Sequence, residues 1–235
     1  MDSSFSIRRT VAPVRQQVLE NLRRAIVEGH FRPSERLIER ELCSLTGASR
    51  SSVREALRQL ETEGLIETLP DRGPVVRTVS ARESEDLYQV RALLEGLMGR
   101  LFARRATADE MAELREATGD FGRATGSGDA VAALRAKDRF YDVLMTGCRN
   151  ATLDSLLESL HNRIALLRAT TLAHPGRSAR TLVELERIVK AVEARDAHAA
   201  EKACVAHVEA AAAVALAVLG GSAPVPMAKA PARLA

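Results

Sequence analysis

The sequence of 235 residues contains 46% hydrophobic residues but only 3% aromatic residues, with no tryptophan. This length can supply a core for one large or two modest domains, and the abundance of alanine, leucine, arginine and glutamate favours helix over strand. The formal net charge of +3 permits an anionic partner without requiring one. Three widely spaced cysteines, with no C-x-x-C pair, argue against a disulfide framework or a zinc knuckle.

The apolar segments argue against a membrane protein. The opening residues, MDSSFSIRRT, contain no apolar stretch of the kind found in signal peptides. The longest apolar run, over 210–219, is too short and too rich in alanine to span a bilayer. We therefore expect a soluble, cytoplasmic protein without a membrane partner, with a flexible N-terminus over residues 1–11.

The first third of the chain predicts three helices and a hairpin. Helical spacing of apolar residues predicts a helix over 13–30 and a short one over 39–46 that ends at Gly47. Ser49 is placed to cap a third helix, which ends at Gly64. The segment LIETLPDRGPVVRTV then reads as a hairpin with a basic tip. Together these elements predict a winged helix-turn-helix over 12–79.

The remaining chain predicts helices only. Ser80 with Glu83, and Thr107 with Glu110, have capping-box spacing at the starts of two helices. Further breaks at 125–129, 147–150, 173–178 and 194–196 divide residues 80–219 into about six helices of one bundle. Residues 220–235 have no apolar periodicity and are predicted to be a disordered tail.

The third predicted helix has one apolar face and a row of arginines on another. Arg50, Arg54 and Arg58 recur every four residues, away from the apolar positions. Guanidinium groups on such a face can bond guanine edges or phosphates, and Ser51 and Ser52 can donate to phosphate oxygens. The alternative is a solvated charged face. The tight turn before this helix and the basic hairpin tip after it favour DNA binding.

The stretch IERELCSLTGASRSSVREALRQLETEGLIETLPDRGPVV resembles the winged helix-turn-helix of GntR-family bacterial transcription regulators. The rest, including RFYDVLMTGCRN over 139–150, resembles the FCD ligand-sensing domain of their FadR-like branch. The resemblance covers residues 12–219 and implies a mainly α fold, with an N-terminal winged helix-turn-helix followed by an all-helical effector-binding bundle. It also implies a homodimer that binds a double-stranded DNA operator. The DNA contacts that it implies are Arg40, Ser49, Arg50, Ser51, Ser52 and Arg54, with Arg72 and Gly73 of the wing tip in the minor groove.

The sequence departs from the family at the metal site that many FCD domains carry. Such domains use an Asp and a His four residues apart, and a His from each of two later helices. The matching positions here hold Lys137, Tyr141, Leu185 and His207. One imidazole beside a leucine and an ammonium group cannot hold a transition metal well, so we predict no metal and no other cofactor.

Side chains at these positions can bind a small anionic metabolite directly and so replace the charge of the missing metal. Lys137 and Tyr141 share a helical face, and with Arg91 and His207 they form the predicted effector site. The alternatives are that Lys137 extends to solvent while Tyr141 fills the cavity, that Arg91 pairs with Glu95, and that His207 is structural.

Three classes of function compete for this sequence. We expect a repressor controlled by a small organic acid bound without metal. A metal-dependent carboxylate sensor of the same architecture and a helical interaction module without DNA binding are the alternatives. No nucleophile with its base, paired carboxylates or phosphate-binding loop stands out, so the protein is not expected to be an enzyme.

Overall fold

The computed structural model describes residues 14–157, 160, 163, 164, 174 and 176–220. Its internal contacts divide the chain after Thr78 into two compact units. The predicted flexible N-terminus over 1–11 lies outside the described residues. So does the predicted disordered tail, apart from Gly220, which follows the last turn of the final helix.

The first unit is a winged helix-turn-helix. Its helices are α1 (Val14–Val27), α2 (Glu39–Thr46) and α3 (Arg50–Thr62). Strands β1 (Ile66–Leu69) and β2 (Gly73–Val76) pair in antiparallel register and form the wing. The prediction of three helices and a hairpin is confirmed; α2 has the predicted bounds, and α1 and α3 are shorter than predicted by about a turn or less.

Local chemistry fixes the turn between α2 and α3. Gly47 has a φ of 66°, in the left-handed region that favours glycine, and its N–H donates to the carbonyl of Cys43. The Oγ of Ser49 accepts from the N–H of Ser52 at 3.3 Å, which caps α3. The apolar face of α3 is 0–5% exposed; it consists of Val53, Ala56, Leu57 and Leu60. This burial holds α3 against α1 and α2, so its opposite face points to solvent.

The second unit is a helical bundle. Its long helices are α4 (Ala81–Arg105), α5 (Ala108–Ser127), α6 (Ala130–Cys148), α7 (Arg177–Glu193) and α8 (Ala197–Leu219), and residues 151–157 are also helical. The predicted capping box of Thr107 and Glu110 forms in both directions at the start of α5. At the start of α4 the Oγ of Ser80 accepts from the N–H of Glu83. Among the described residues of this unit there is no strand, as the sequence predicted.

Helices α4 and α8 pack closely in the centre of the bundle. Two glycines of α4 face α8, and a Cβ atom at Gly99 would overlap the sulfur of Cys204. The contact therefore requires glycine at this position. Around it, Met98, Phe102, Phe121 and Phe140 are fully buried.

Helix α8 is more apolar than the run over 210–219 indicated. All 23 residues belong to one helix, which by length and composition alone could cross a membrane, with a mean hydropathy of 1.7 over an 18-residue window. In this fold the helix packs against α4 and α7. Its buried residues include Ala200, Cys204, Val208 and Ala211, so one part of its apolar surface belongs to the core.

Candidate DNA-reading surface and buried effector site

The face of α3 opposite the core carries the predicted row of arginines. Arg50 is exposed, and the side chains of Arg54 and Arg58 are 56% and 70% exposed. At the start of the same helix, the Oγ of Ser49 lies 2.9 Å from that of Ser51 and 3.0 Å from that of Ser52. Hydroxyl groups and free N–H groups at a helix N-terminus are suitable donors to phosphate.

A groove of about 360 Å³ joins this helix to α2 and to the wing. Its lining residues are Arg36, Leu37, Ile38, Glu39, Arg40, Arg50 and Pro74. Arg36, Arg40 and Arg50 are all exposed, so three cations surround one opening. Arg36, which precedes α2 in an irregular segment, was not among the predicted DNA contacts. Pairing of Arg36 with Val75 of β2 brings it to the groove, and no local pattern reveals that pairing.

Glu39 holds one of the predicted DNA-contacting arginines. The Nε of Arg54 donates to Oε1 of Glu39 at 3.0 Å, and Nη2 donates to Oε2 at 2.9 Å. These bonds from Arg54 lower the pKa of Glu39 below its ordinary value. The bidentate contact fixes the guanidinium plane and leaves Nη1 and the second N–H of Nη2 available.

The wing tip places the remaining predicted DNA contacts. Arg72 is exposed between the two strands, and its N–H donates to the carbonyl of Leu69 at 3.2 Å. Gly73 follows with a φ of 71°, a conformation that side-chain-bearing residues rarely adopt. A tight turn therefore presents one cation beside a residue without a side chain, a combination narrow enough for a minor groove.

In the second unit, all four predicted effector residues are buried. Arg91, Lys137 and His207 are each 1% exposed, and Tyr141 is 6% exposed. They come from α4, α6 and α8, and Lys137 does not extend to solvent. Burial of a lysine is unusual unless its surroundings stabilise the charge, so these positions form a polar interior within an apolar bundle.

The first pair in this interior is Arg91 with Glu95. The Nε of Arg91 donates to Oε1 of Glu95 at 2.9 Å, and Nη2 lies at the same distance from that oxygen. The guanidinium carbon lies 4.9 Å from the ring centroid of Tyr88. Burial opposes the charge, but the charge of Glu95 outweighs it and raises the pKa of Arg91. Among the described residues, Nη1 of Arg91 has no hydrogen-bond partner.

The second cluster joins α7 to α8. Nδ1 of His207 lies 2.6 Å from Oε2 of Glu184. Arg177 donates to both carboxylate oxygens of Glu184, at 2.7 and 2.8 Å. Burial, followed by the nearby charge of Lys137, lowers the pKa of His207 to about 4. Burial acts to raise the pKa of Glu184, but the bonds from His207 and Arg177 prevail and lower it to about 2. His207 is therefore neutral and Glu184 ionised at neutral pH.

The two clusters belong to one interior. The ring centroids of Tyr141 and His207 lie 6.4 Å apart, and the charge of Glu95 acts on both Arg91 and His207, favouring their charged forms. Arg91 pairs with Glu95 and Arg177 pairs with Glu184, so both carboxylates of this interior have a cationic partner.

The residues at the family's metal positions do not fit a transition metal. Lys137 is a cation, Leu185 has no ligand atom, and His207 directs one of its two nitrogens to Glu184. Throughout the part of the chain that the structure describes, no three His, Cys, Asp or Glu side chains gather as a metal would require.

Arg177 and Glu184 were not among the residues predicted for the effector site. Residues 177, 181 and 184 lie on one face of α7, at spacings of four and three, and Arg177 is 2% exposed. The available signal was an opposite-charge pair on a face that continues with Leu185 and Ile188. Such a pair on an apolar stripe indicates a polar interior rather than a solvated surface.

A basic winged helix-turn-helix, carried on the same chain as a helical domain with a polar interior, defines a DNA-binding transcription regulator rather than an enzyme. Residues 14–76 match the family of bacterial regulatory proteins called the gntR family, and residues 86–210 match the FCD domain. The chain belongs to the GntR family of regulators and carries an FCD domain.

Individual relatives agree with this assignment. The uncharacterized HTH-type transcriptional regulator YdhC of Bacillus subtilis is 29% identical over 83% of this chain and 88% of its own length. The Nta operon transcriptional regulator of Aminobacter aminovorans is 36% identical over 60% of this chain and 67% of its own. The solved structure of Escherichia coli McbR/YncC superposes with a TM-score of 0.76 at 21% identity and covers 90% of this chain and 99% of that one, which shows a shared fold.

Proposed function

We propose that this regulator is a cytoplasmic homodimeric repressor that leaves its operator when a small organic acid binds, without metal, inside the helical domain. The observation that supports the proposal is a pair of buried polar atoms without hydrogen-bond partners among the described residues, Nη1 of Arg91 and Nε2 of His207. The carboxylate of an organic acid can accept a hydrogen bond from Nη1 of Arg91, so cationic side chains would bind the anion directly in place of a metal. No membrane partner is needed for this function.

The exposed surface of α3, the end of α2 and the wing support the part of the proposal that concerns operator binding. The proposed contacts are Arg40, Ser49, Arg50, Ser51, Ser52 and Arg54 at the ends of α2 and α3, with Arg72 and Gly73 of the wing. Arg36 joins this set because it lines the same groove as Arg40 and Arg50. Two copies of such a short helix provide useful affinity together, so the operator should be near-palindromic.

Repression is the simplest output for this design. A dimer that occupies a site near a promoter excludes other proteins from it without a further contact surface. The segment between β2 and α4 is only four residues long and contains no glycine, so it does not have the composition of a flexible linker. Effector binding and DNA binding should therefore be coupled, each changing the other's affinity by the same factor.

Operator binding with added effector tests the proposal. Fluorescence anisotropy on DNA from the protein's own upstream region should show specific binding, which small organic acids weaken equally with and without a chelator. Lys137→Ala should abolish the response and leave binding without effector near normal. Lys202→Ala, which removes an exposed lysine from α8, is the matched control. An undiminished response in the Lys137 variant contradicts the anion site, and a response lost on chelation supports a metal-dependent sensor.

A further inference from the structure

The arginines on the exposed face of α3 are held in different ways. The Nε and Nη2 groups of Arg54 donate to the two carboxylate oxygens of Glu39, at 3.0 and 2.9 Å. Arg58, one helical turn further on, contacts Glu55 of its own helix at 3.6 Å. Two parallel hydrogen bonds fix the plane of a guanidinium group, whereas a contact of 3.6 Å does not. Arg54 therefore has a fixed orientation that Arg58 lacks.

Both partners of this pair belong to rigid elements. Glu39 is the first residue of α2, and Arg54 begins the second turn of α3. The turn between these helices is fixed by the left-handed Gly47 and by the cap at Ser49. The side chains of Arg54 and Glu39 are 56% and 35% exposed, so DNA can approach them. The pair thus presents a guanidinium group in one defined position on the surface.

The edge of the guanidinium group that faces away from Glu39 carries two donors side by side. Of the five N–H groups of Arg54, Glu39 accepts from that of Nε and from one of Nη2. One N–H of Nη1 and the second N–H of Nη2 form the opposite edge. In the major groove, guanine offers two acceptors, N7 and O6, whereas adenine offers one acceptor and one donor. A fixed pair of donors therefore matches guanine and meets a donor at adenine.

We infer that Glu39 is a specificity-determining residue, which holds Arg54 so that its two remaining donors read a guanine of the operator. The inference rests on the proposed operator binding and gives a role to a residue outside the proposed DNA contacts. An ionised carboxylate beside Arg54 also repels phosphates, so it disfavours docking of this arginine against the DNA backbone. Glu39 thus favours base reading over binding to DNA of any sequence.

Selection from random double-stranded oligonucleotides tests the inference with the full-length protein. The wild type should enrich a site with a guanine whose preference is lost in Arg54→Ala. Replacing this guanine by adenine should weaken wild-type binding roughly 10- to 100-fold in anisotropy titrations. In Glu39→Gln the amide offers Arg54 one acceptor and one donor, so the paired bonds are lost. The guanine preference should then fall to roughly onefold.

Two further variants separate orientation from charge. Glu39→Asp keeps the carboxylate but shortens the side chain by one methylene, so it should lower the guanine preference and leave the affinity for random DNA unchanged. Glu41→Gln is the matched control, because it removes the same charge from an exposed residue of the same helical turn. It should bind random DNA slightly more tightly, as Glu39→Gln should, with the guanine preference intact. A folding defect would instead weaken binding to every sequence.

Four results would overturn the inference. A guanine preference unchanged in Glu39→Asp or in Glu39→Gln would show that Arg54 needs no support. A larger gain on the guanine site than on random DNA in Glu39→Gln would show that Glu39 competes with the base for Arg54. A selected site with no position that depends on Arg54 would remove the guanine reader but leave operator binding standing. Enrichment of no sequence by the wild type would overturn the proposed operator binding, and this inference with it.

Discussion

Replacing Glu95 by glutamine removes the counter-ion of Arg91 and leaves the shape of residue 95 almost unchanged. The two side chains are 1% and 3% exposed, with Nη2 of Arg91 2.9 Å from Oε1 of Glu95. Removing one partner of a buried pair costs about 3–5 kcal/mol, because a desolvated charge is left behind. In a domain of this size such a loss lowers the melting temperature by roughly 10 °C.

Urea unfolding followed by circular dichroism measures this loss in the full chain. The matched control is Glu193→Gln, whose partner Arg115 is 63% exposed, and that change should cost under about 1 kcal/mol. The double variant Arg91→Met with Glu95→Leu removes both charges and should recover most of the stability.

Two results would refute the reasoning. If Glu95→Gln were no more destabilising than Glu193→Gln, the pair of Arg91 and Glu95 would be solvated rather than buried. If the double variant were as unstable as the single one, the loss would come from packing and not from the unpaired charge.

Arg50→Ala and Arg54→Ala should each weaken operator binding by about 1–3 kcal/mol if they read bases, as anisotropy titrations can measure, whereas an equal loss on random DNA would show phosphate contacts alone. The helical domain should lose stability as the pH falls. The pKa of His207 drops from 6.5 to about 4 on folding, so the unfolded state binds a proton first and stability is lost as the pH falls from 6.5 to 4. The pKa of Glu184 drops from 4.5 to about 2, so its contribution to stability is lost as the pH falls between those two values. Melting temperatures against pH should therefore fall less steeply between pH 6.5 and 4 in His207→Gln. Light scattering at micromolar concentration should give the mass of a dimer, and a monomer there would contradict the operator model.

Local rules were sufficient for most of the fold. The cap at Ser49, the box at Thr107 and Glu110, and the left-handed Gly47 all depend on residues within four positions of each other. Such signals are written directly in the sequence, so helix starts and stops could be predicted. The apolar face of α3 could be predicted from the spacing of its apolar residues alone, and the arginines occupy the positions outside that face.

Long-range pairs were beyond those rules. Glu39 meets Arg54 across 15 positions, and Glu184 meets His207 across 23, so neither pairing has a local pattern. The burial of Lys137 likewise depends on how α4, α6 and α8 pack, so the sequence left a lysine in the effector site and a lysine extended to solvent as alternatives. The pairing of Arg91 with Glu95 could be predicted because the two residues are one helical turn apart. The burial of this pair could not be predicted from their spacing.

Counting arginines overstates how many condensed counterions leave DNA when this protein binds. The guanidinium of Arg54 is already neutralised by Glu39 through two hydrogen bonds. Docking this pair against a phosphate adds little net positive charge, whereas Arg50 and Arg72 each bring a full one. Each phosphate neutralised contributes about 0.9 to the slope of the logarithm of affinity against the logarithm of salt concentration. The affinity for DNA should accordingly depend less steeply on ionic strength than the number of cations on the surface of the protein suggests. A larger share of that affinity is then kept at the salt concentration of a cell.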